Sequence, residues 1–386
     1  MVELKDYLNT HSEFKEAFEK SFQIVHDMGI PQFAKYNIKT FANYLEFYAH
    51  MLTRPPSEDH DGKQIYYYLC IFYFVLDTQP VNNYQSPITP GHEHHTWLSS
   101  WLIRYAQELG TFLDTEASLT PDSLKSFYET GQAYHMTDYP AFPGTWKTFN
   151  QFFARHINAD YRKICEPDNP TVIVSPADST YSSSEVIDEN AIVQFKNVPW
   201  EISELLKDTG FEEKFKGGIF MHSYLAPSDY HRQHAPVAGK IRVAKVVPGL
   251  CYLQVEVTND QKGKVELALT KKKAKDTTKA KDMIMPDDPG YQFLQARGIV
   301  VIENLDIGFV AACPIGMAQV SSVVLNENIL KPNAWVEKEQ EISHFQMGGS
   351  DFVLLFEQRS QVQITAKKDD HYNVGQQIAT ATRLHK

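Results

Sequence analysis

Three stretches bring together residue types that can do covalent chemistry. In "SHFQMGGSDFVLLFE" the hydroxyl of Ser350 follows two residues without side chains, Gly348 and Gly349. In "SDYHRQHAP" His231 and His234 stand three apart, between Pro227 and Pro236. In "VSPADSTY" Asp178 follows an apolar run and a proline turn, a position from which a carboxylate can point into a cleft. A nucleophilic hydroxyl, an imidazole base and a carboxylate that orients the imidazole make up a serine triad. Each stretch also has a plain structural reading. Gly-Gly-Ser is a tight turn into a strand, Asp178 a turn aspartate, and the histidines can be satisfied by neighbouring backbone. On spacing alone the turn is the favoured reading of Ser350. A plain serine hydrolase is disfavoured, because "MGGSDF" is not the Gly-x-Ser-x-Gly elbow.

Metal chemistry has weaker support. The prolines around His231 and His234 argue for a loop or strand end rather than a helix face, and the sequence offers no third ligand nearby. "GHEHH", with His92, His94 and His95, reads as a helix start, so no metal site is expected. The four cysteines, Cys70, Cys165, Cys251 and Cys313, lie far apart, and their spacing writes neither a zinc site nor a disulfide framework.

The elements that must position these groups change character along the chain. Residues 1–140 read as a helical N-terminal domain. Thr10 and Glu13 have capping-box spacing, and Phe14, Phe18, Phe22 and Val25 recur at helical intervals before Gly29 and Pro31. Phe41, Tyr44, Leu45, Tyr48 and Leu52 form a second stripe, and "HHTWLSSWLIRYAQELG" a third helix. Residues 141–386 carry short β-like runs between Gly, Pro, Asn and Asp, among them "TVIVS", "GGIFMHSYL", "AGKIRVAKVV", "GIVVIENL" and "DFVLLFE". The expected fold class is α+β, with a mostly antiparallel, β-rich catalytic domain behind the helices.

Composition excludes several functions. A net charge of −11 with a pI near 5.8 argues against a nucleic-acid binder. The most apolar run, "IYYYLCIFYFVL", falls short of the roughly 20 residues of a spanning helix and reads as a buried one, with an interfacial helix able to touch a membrane as the alternative. "MVELKDYLNTHSEFK" has charges where a secretion signal needs apolar residues, so a soluble, cytoplasmic protein is expected, with membrane contact peripheral at most. "TKKKAKDTTKAKD", from Lys271 to Lys281, reads as a solvated loop, with a patch for anionic lipid as the alternative.

"FNQFFAR", "SPADS", "YHRQHAPVAGK" and "FQMGGSDFVLLF", in this order and at these intervals, resemble the phosphatidylserine decarboxylase family, over about residues 145 to 386 and including "VGQQIAT". The N-terminal part is similar to the soluble branch of that family, which includes the L-tryptophan decarboxylase of fungal psilocybin synthesis. The resemblance implies a proenzyme that cuts itself between Gly349 and Ser350. Ser350 Oγ would attack the Gly349 carbonyl, His234 would take the hydroxyl proton, and Asp178 would orient the imidazole. Elimination and hydrolysis would then leave a pyruvoyl group at residue 350, capping a light chain of residues 350–386 that stays bound to a heavy chain of residues 1–349. Gly348 and Gly349 would expose the bond to be cut.

The resemblance further implies that the pyruvoyl group takes up a substrate amine as a Schiff base, with no pyridoxal phosphate and no metal, and that His231 protonates the carbanion left by CO₂. A free aromatic L-amino acid is the expected substrate, with phosphatidylserine, through its headgroup, the alternative. A catalytically inactive binding or scaffold relative is the remaining reading. Two positions depart from the family pattern: Asp351 stands where many members have Thr, and Ser179 where the aspartate motif has Gly. Asp351 is expected to set a negative charge near the substrate.

Overall fold

The computed structural model describes residues 1–92, 94–140, 146–195, 197–259, 265–269, 290–317, 323–331 and 333–384. The lysine-rich stretch from Lys271 to Lys281 lies outside the described residues. The fold is α+β: helices dominate the N-terminal part, and antiparallel strands the rest.

The helical stripes form as their spacing predicts, apart from one boundary. Thr10 ends a helix, Val2–Thr10, with its hydroxyl turned back onto the Asp6 carbonyl, so it does not cap the next helix, Ser12–Asp27. That helix buries Phe14, Phe18, Phe22 and Val25 on one face. Helix Phe41–Met51 is capped by Thr40, and helix Trp97–Leu113 by Thr96, which leaves His94 and His95 just before it. The apolar run becomes helix Gln64–Asp77, buried from Leu69 to Asp77. Tyr66 and Tyr68 are half-buried, while from Leu69 on its aromatic rings are interior packing: Phe72 stacks on Tyr48, and the Tyr44 and Tyr48 hydroxyls both meet the Phe72 carbonyl. Among the described residues no helix is long and apolar enough to cross a membrane.

Eight of the described strands form one antiparallel sheet, with Gly349–Phe356 inside it between Gly308–Met317 and Ile219–Leu225. Alternation along Gly349–Phe356 sends Phe352, Leu354 and Phe356 into a core shared with the helices, and Val353 and Leu355 into a second core around Trp200 and Phe293. Burying each such side chain contributes about 1.5–3 kcal/mol, so a slip by one residue, which would reverse both faces, is strongly disfavoured. The register therefore fixes the sides: Ser350 lies on the face of Phe352, and Asp351 on the face of Val353.

Candidate active site

Ser350 enters the sheet opposite Gly316 on one side and Leu225 on the other. Its side chain is buried, and Oγ has no hydrogen-bond partner. A serine hydroxyl without a partner in the interior is costly to keep. Two residues earlier Gly348 holds φ at +152°, a backbone state that a residue with a Cβ rarely adopts. The turn read from the sequence thus has an uncommon geometry.

The short strand Arg232–His234 pairs with Glu341–Phe345, which runs directly toward Gly348. The Phe345 amide donates to the His231 carbonyl at 3.0 Å, and the Met347 amide to Asn150 Oδ1 at 3.2 Å. These bonds tie the histidine segment and the "FNQFFAR" helix to the chain leading into Ser350.

His234 is held on three sides. Its amide donates to the Pro176 carbonyl at 2.7 Å, beside the Asp178 turn. Nδ1 lies 2.6 Å from the Glu339 carbonyl, and Nε2 is 3.3 Å from the Tyr230 hydroxyl. A carbonyl only accepts, so Nδ1 carries the proton and Nε2 presents its lone pair, the tautomer of a general base. Burial lowers the His234 pKa and keeps the ring neutral.

Asp178 does not orient this ring through a hydrogen bond. Arg162 Nε spans both carboxylate oxygens at 2.9 and 3.1 Å, Nη2 adds a further bond, and the Val374 amide donates at 2.8 Å. A guanidinium fork matches a carboxylate in two places at once, and that match takes the oxygens the triad reading had reserved for His234. The orienting bond comes from the Glu339 main chain, while the Asp178 charge acts on His234 without a direct bond.

His231 is fully buried, stacked on Phe153 with ring centroids 3.9 Å apart, and neither ring nitrogen has a side-chain hydrogen-bond partner. Burial, helped by the Arg155 charge, pushes its pKa down to about 3. A ready imidazolium is therefore not available there. The ring is neutral at physiological pH and gives up a proton only from a neutral N–H.

Asp351 also differs from its expected place. It is fully buried on the face opposite Ser350, where His222 Nε2 lies 2.8 Å away and the Tyr291 hydroxyl donates to the same oxygen. Its charge meets those groups rather than the Ser350 side. His222, Tyr291, Arg162 and Glu339 had no signal as site residues. Among the described residues, no group of three or more His, Cys, Asp or Glu side chains could hold a metal ion.

Residues 149–380 match the family model described as phosphatidylserine decarboxylase. The chain is 29% identical to phosphatidylserine decarboxylase proenzyme 3 of Schizosaccharomyces pombe, over 55% of this chain and 19% of that protein. It is also 29% identical to the phosphatidylserine decarboxylase proenzyme of Clostridium novyi, over 55% of this chain and 61% of the relative. Decarboxylase iboD of Amanita muscaria is 28% identical, over 61% of this chain and 64% of its own length. The match thus spans less than two thirds of each of these relatives.

Proposed function

The chain belongs to the phosphatidylserine decarboxylase family, and from that premise we propose that it is a self-processing, pyruvoyl-dependent carboxy-lyase acting on an amino-acid substrate. The observation that carries this reading is Ser350 Oγ, buried without a partner just past the unusual backbone of Gly348. A hydroxyl in that position is suited to attack the Gly349 carbonyl, replacing the Gly349–Ser350 amide with an ester. His234 Nε2 receives the hydroxyl proton. Elimination then frees the Gly349 carboxylate, and hydrolysis expels the nitrogen of residue 350 as ammonia.

The residues present fit the pyruvoyl group, since it would replace a side chain that already lacks a partner. That group supplies a carbonyl that engages a substrate amine and draws off the electron pair left as CO₂ departs. Around it, His234 stays neutral and oriented by Glu339, His231 offers a neutral N–H, and Asp178 with Arg162 braces the turn beneath His234. In this reading residues 141–386 carry the chemistry and residues 1–140 form a helical domain packed against it.

We favour a free aromatic L-amino acid as the substrate. The aromatic helix Gln64–Asp77, one of two stretches able to supply a membrane contact, is spent on interior packing from Leu69 to Asp77. Phosphatidylserine is the second reading, supported by the names of most of the relatives above. Intact mass under denaturing conditions tests the core of the proposal. Wild-type protein should give chains of residues 1–349 and 350–386, the latter blocked by a carbonyl-bearing residue, and Ser350→Ala one unbroken chain. A single wild-type chain would overturn it. Carbon dioxide release from an aromatic amino acid without lipid supports the favoured substrate; release only from phosphatidylserine in vesicles supports the second.

A further inference from the structure

Arg155, at the end of "FNQFFAR", is a cation that nothing in the mechanism above uses. It is buried at 2% exposure, and its Nε has no hydrogen-bond partner. Its other donors reach only the Phe152 and Tyr134 carbonyls, at 3.3 and 3.4 Å. The guanidinium lies 4.1 Å from the Tyr139 ring centroid and 4.8 Å from that of Phe152, and no carboxylate among the described residues pairs with it. Ring faces attract a cation but do not satisfy its N–H groups. A buried charge without a counter-ion is expensive, and native proteins seldom retain one without a use.

Arg155 lies close enough to His231 for its charge to act on that ring. Both ring nitrogens of His231 and Ser350 Oγ are also buried without side-chain partners. Phe153, two residues before Arg155, carries the His231 ring on its face. Asn150, on the same short helix, bonds the Met347 amide three residues before Ser350. Arg155 brings a positive charge and an unused donor to this region, so the missing partner is an anion.

We propose that Arg155 is the substrate-binding residue that receives the α-carboxylate. The inference rests on the decarboxylase reading above and deepens it. Both candidate substrates carry this group next to their amine, and both products lack it. A guanidinium binds a carboxylate by charge-assisted, often paired hydrogen bonds, which would fix the α-carbon relative to residue 350 and bring the substrate anion beside His231.

The test follows the ¹⁵N–¹H signal of Arg155 Nε in full-length Ser350→Ala protein, with the signal assigned by its loss in Arg155→Lys, or by selective arginine labelling where that variant does not fold. The probes are L-tryptophan, L-tryptophanamide, tryptamine, glycerophosphoserine and glycerophosphoethanolamine. A saturable shift with L-tryptophan or glycerophosphoserine, at least about tenfold tighter than with the amide, amine or ethanolamine compound, is expected. Which of the two acids binds identifies a free amino acid or a lipid headgroup as the source of the carboxylate. Equal shifts with glycerophosphoserine and glycerophosphoethanolamine would mark a phosphate site and overturn the proposal, as would no saturable shift with any probe. The readout does not depend on self-cleavage, so an uncut wild-type protein would refute the proposed function while leaving this result to stand or fall separately.

Discussion

His234 Nδ1 lies 2.6 Å from the main-chain carbonyl of Glu339, a residue whose φ of +66° is in the left-handed region. The ring is thus aimed by the backbone of a strained turn rather than by a carboxylate. His234→Gln should slow self-cleavage about a hundredfold or more, followed as loss of the uncut mass over time. Glu339→Gly, which keeps the carbonyl and relaxes the turn, should leave cleavage intact. Because burial lowers the His234 pKa, the ring is already deprotonated below the ordinary histidine value of about 6.5. The cleavage rate should therefore stay level as pH falls through that value and decline only further down. A decline centred at the ordinary value would contradict a neutral, buried base.

Asp178 and Arg162 form a nearly buried pair. Removing Arg162 strands a buried carboxylate, and removing Asp178 leaves the guanidinium only Asp138, 3.9 Å away, so Asp178→Ala should cost about 3 kcal/mol in urea unfolding. The double variant Asp178→Ala/Arg162→Ala should lose less than the sum of the single changes. Strict additivity would mean that the pair is not coupled.

Asp351 faces away from Ser350, toward His222 and Tyr291. Asp351→Ala should therefore destabilise the fold by about 1–3 kcal/mol, since it strands buried partners. The ratio of activities on competing substrates should not move. A changed substrate preference in a variant that keeps its stability would place the carboxylate's influence on the reacting side after all.

Glu58 is buried in the helical part, where it accepts bonds from the Tyr134 hydroxyl and the Gln64 amide. Burial raises its pKa to about 7 from 4.5, so the folded state holds a proton that the unfolded chain gives up. Stability is then greatest at low pH on this account and falls as pH rises from about 4.5 to 7, by about 3 kcal/mol across the window. Urea midpoints for wild-type and Glu58→Gln should converge at the acid end and separate towards neutrality, with the variant the more stable.

The helices with apolar stripes and the strand Gly349–Phe356 were legible because bulk recurs at their own periods. Ser179–Val186 was not: "STYSSSEV" has few apolar residues, and its place in the sheet depends on pairing with Ile219–Leu225. Ser350, His231 and His234 were visible as reactive types in conspicuous turns. Glu339 could not be, because it serves His234 through a carbonyl that every residue possesses. Arg162 and His222 escaped for another reason. Each finds its carboxylate across the fold, at a distance set by strand register and loop path rather than by sequence spacing.

The strands beyond residue 349 are interleaved with the rest of the molecule. Gly349–Phe356 lies between two strands of the N-terminal piece, Gln377–Thr380 pairs with Val172–Val174, and His371–Tyr372 with Ser179–Val186. A chain cut at Gly349 would hold together, yet its folding would no longer be a single-molecule event. Denatured and diluted, the two fragments would have to find each other, so recovery should depend on protein concentration. The uncut Ser350→Ala chain should recover at a rate independent of it. Such a protein would assemble once as a monomer, and after maturation would behave thermodynamically as a heterodimer.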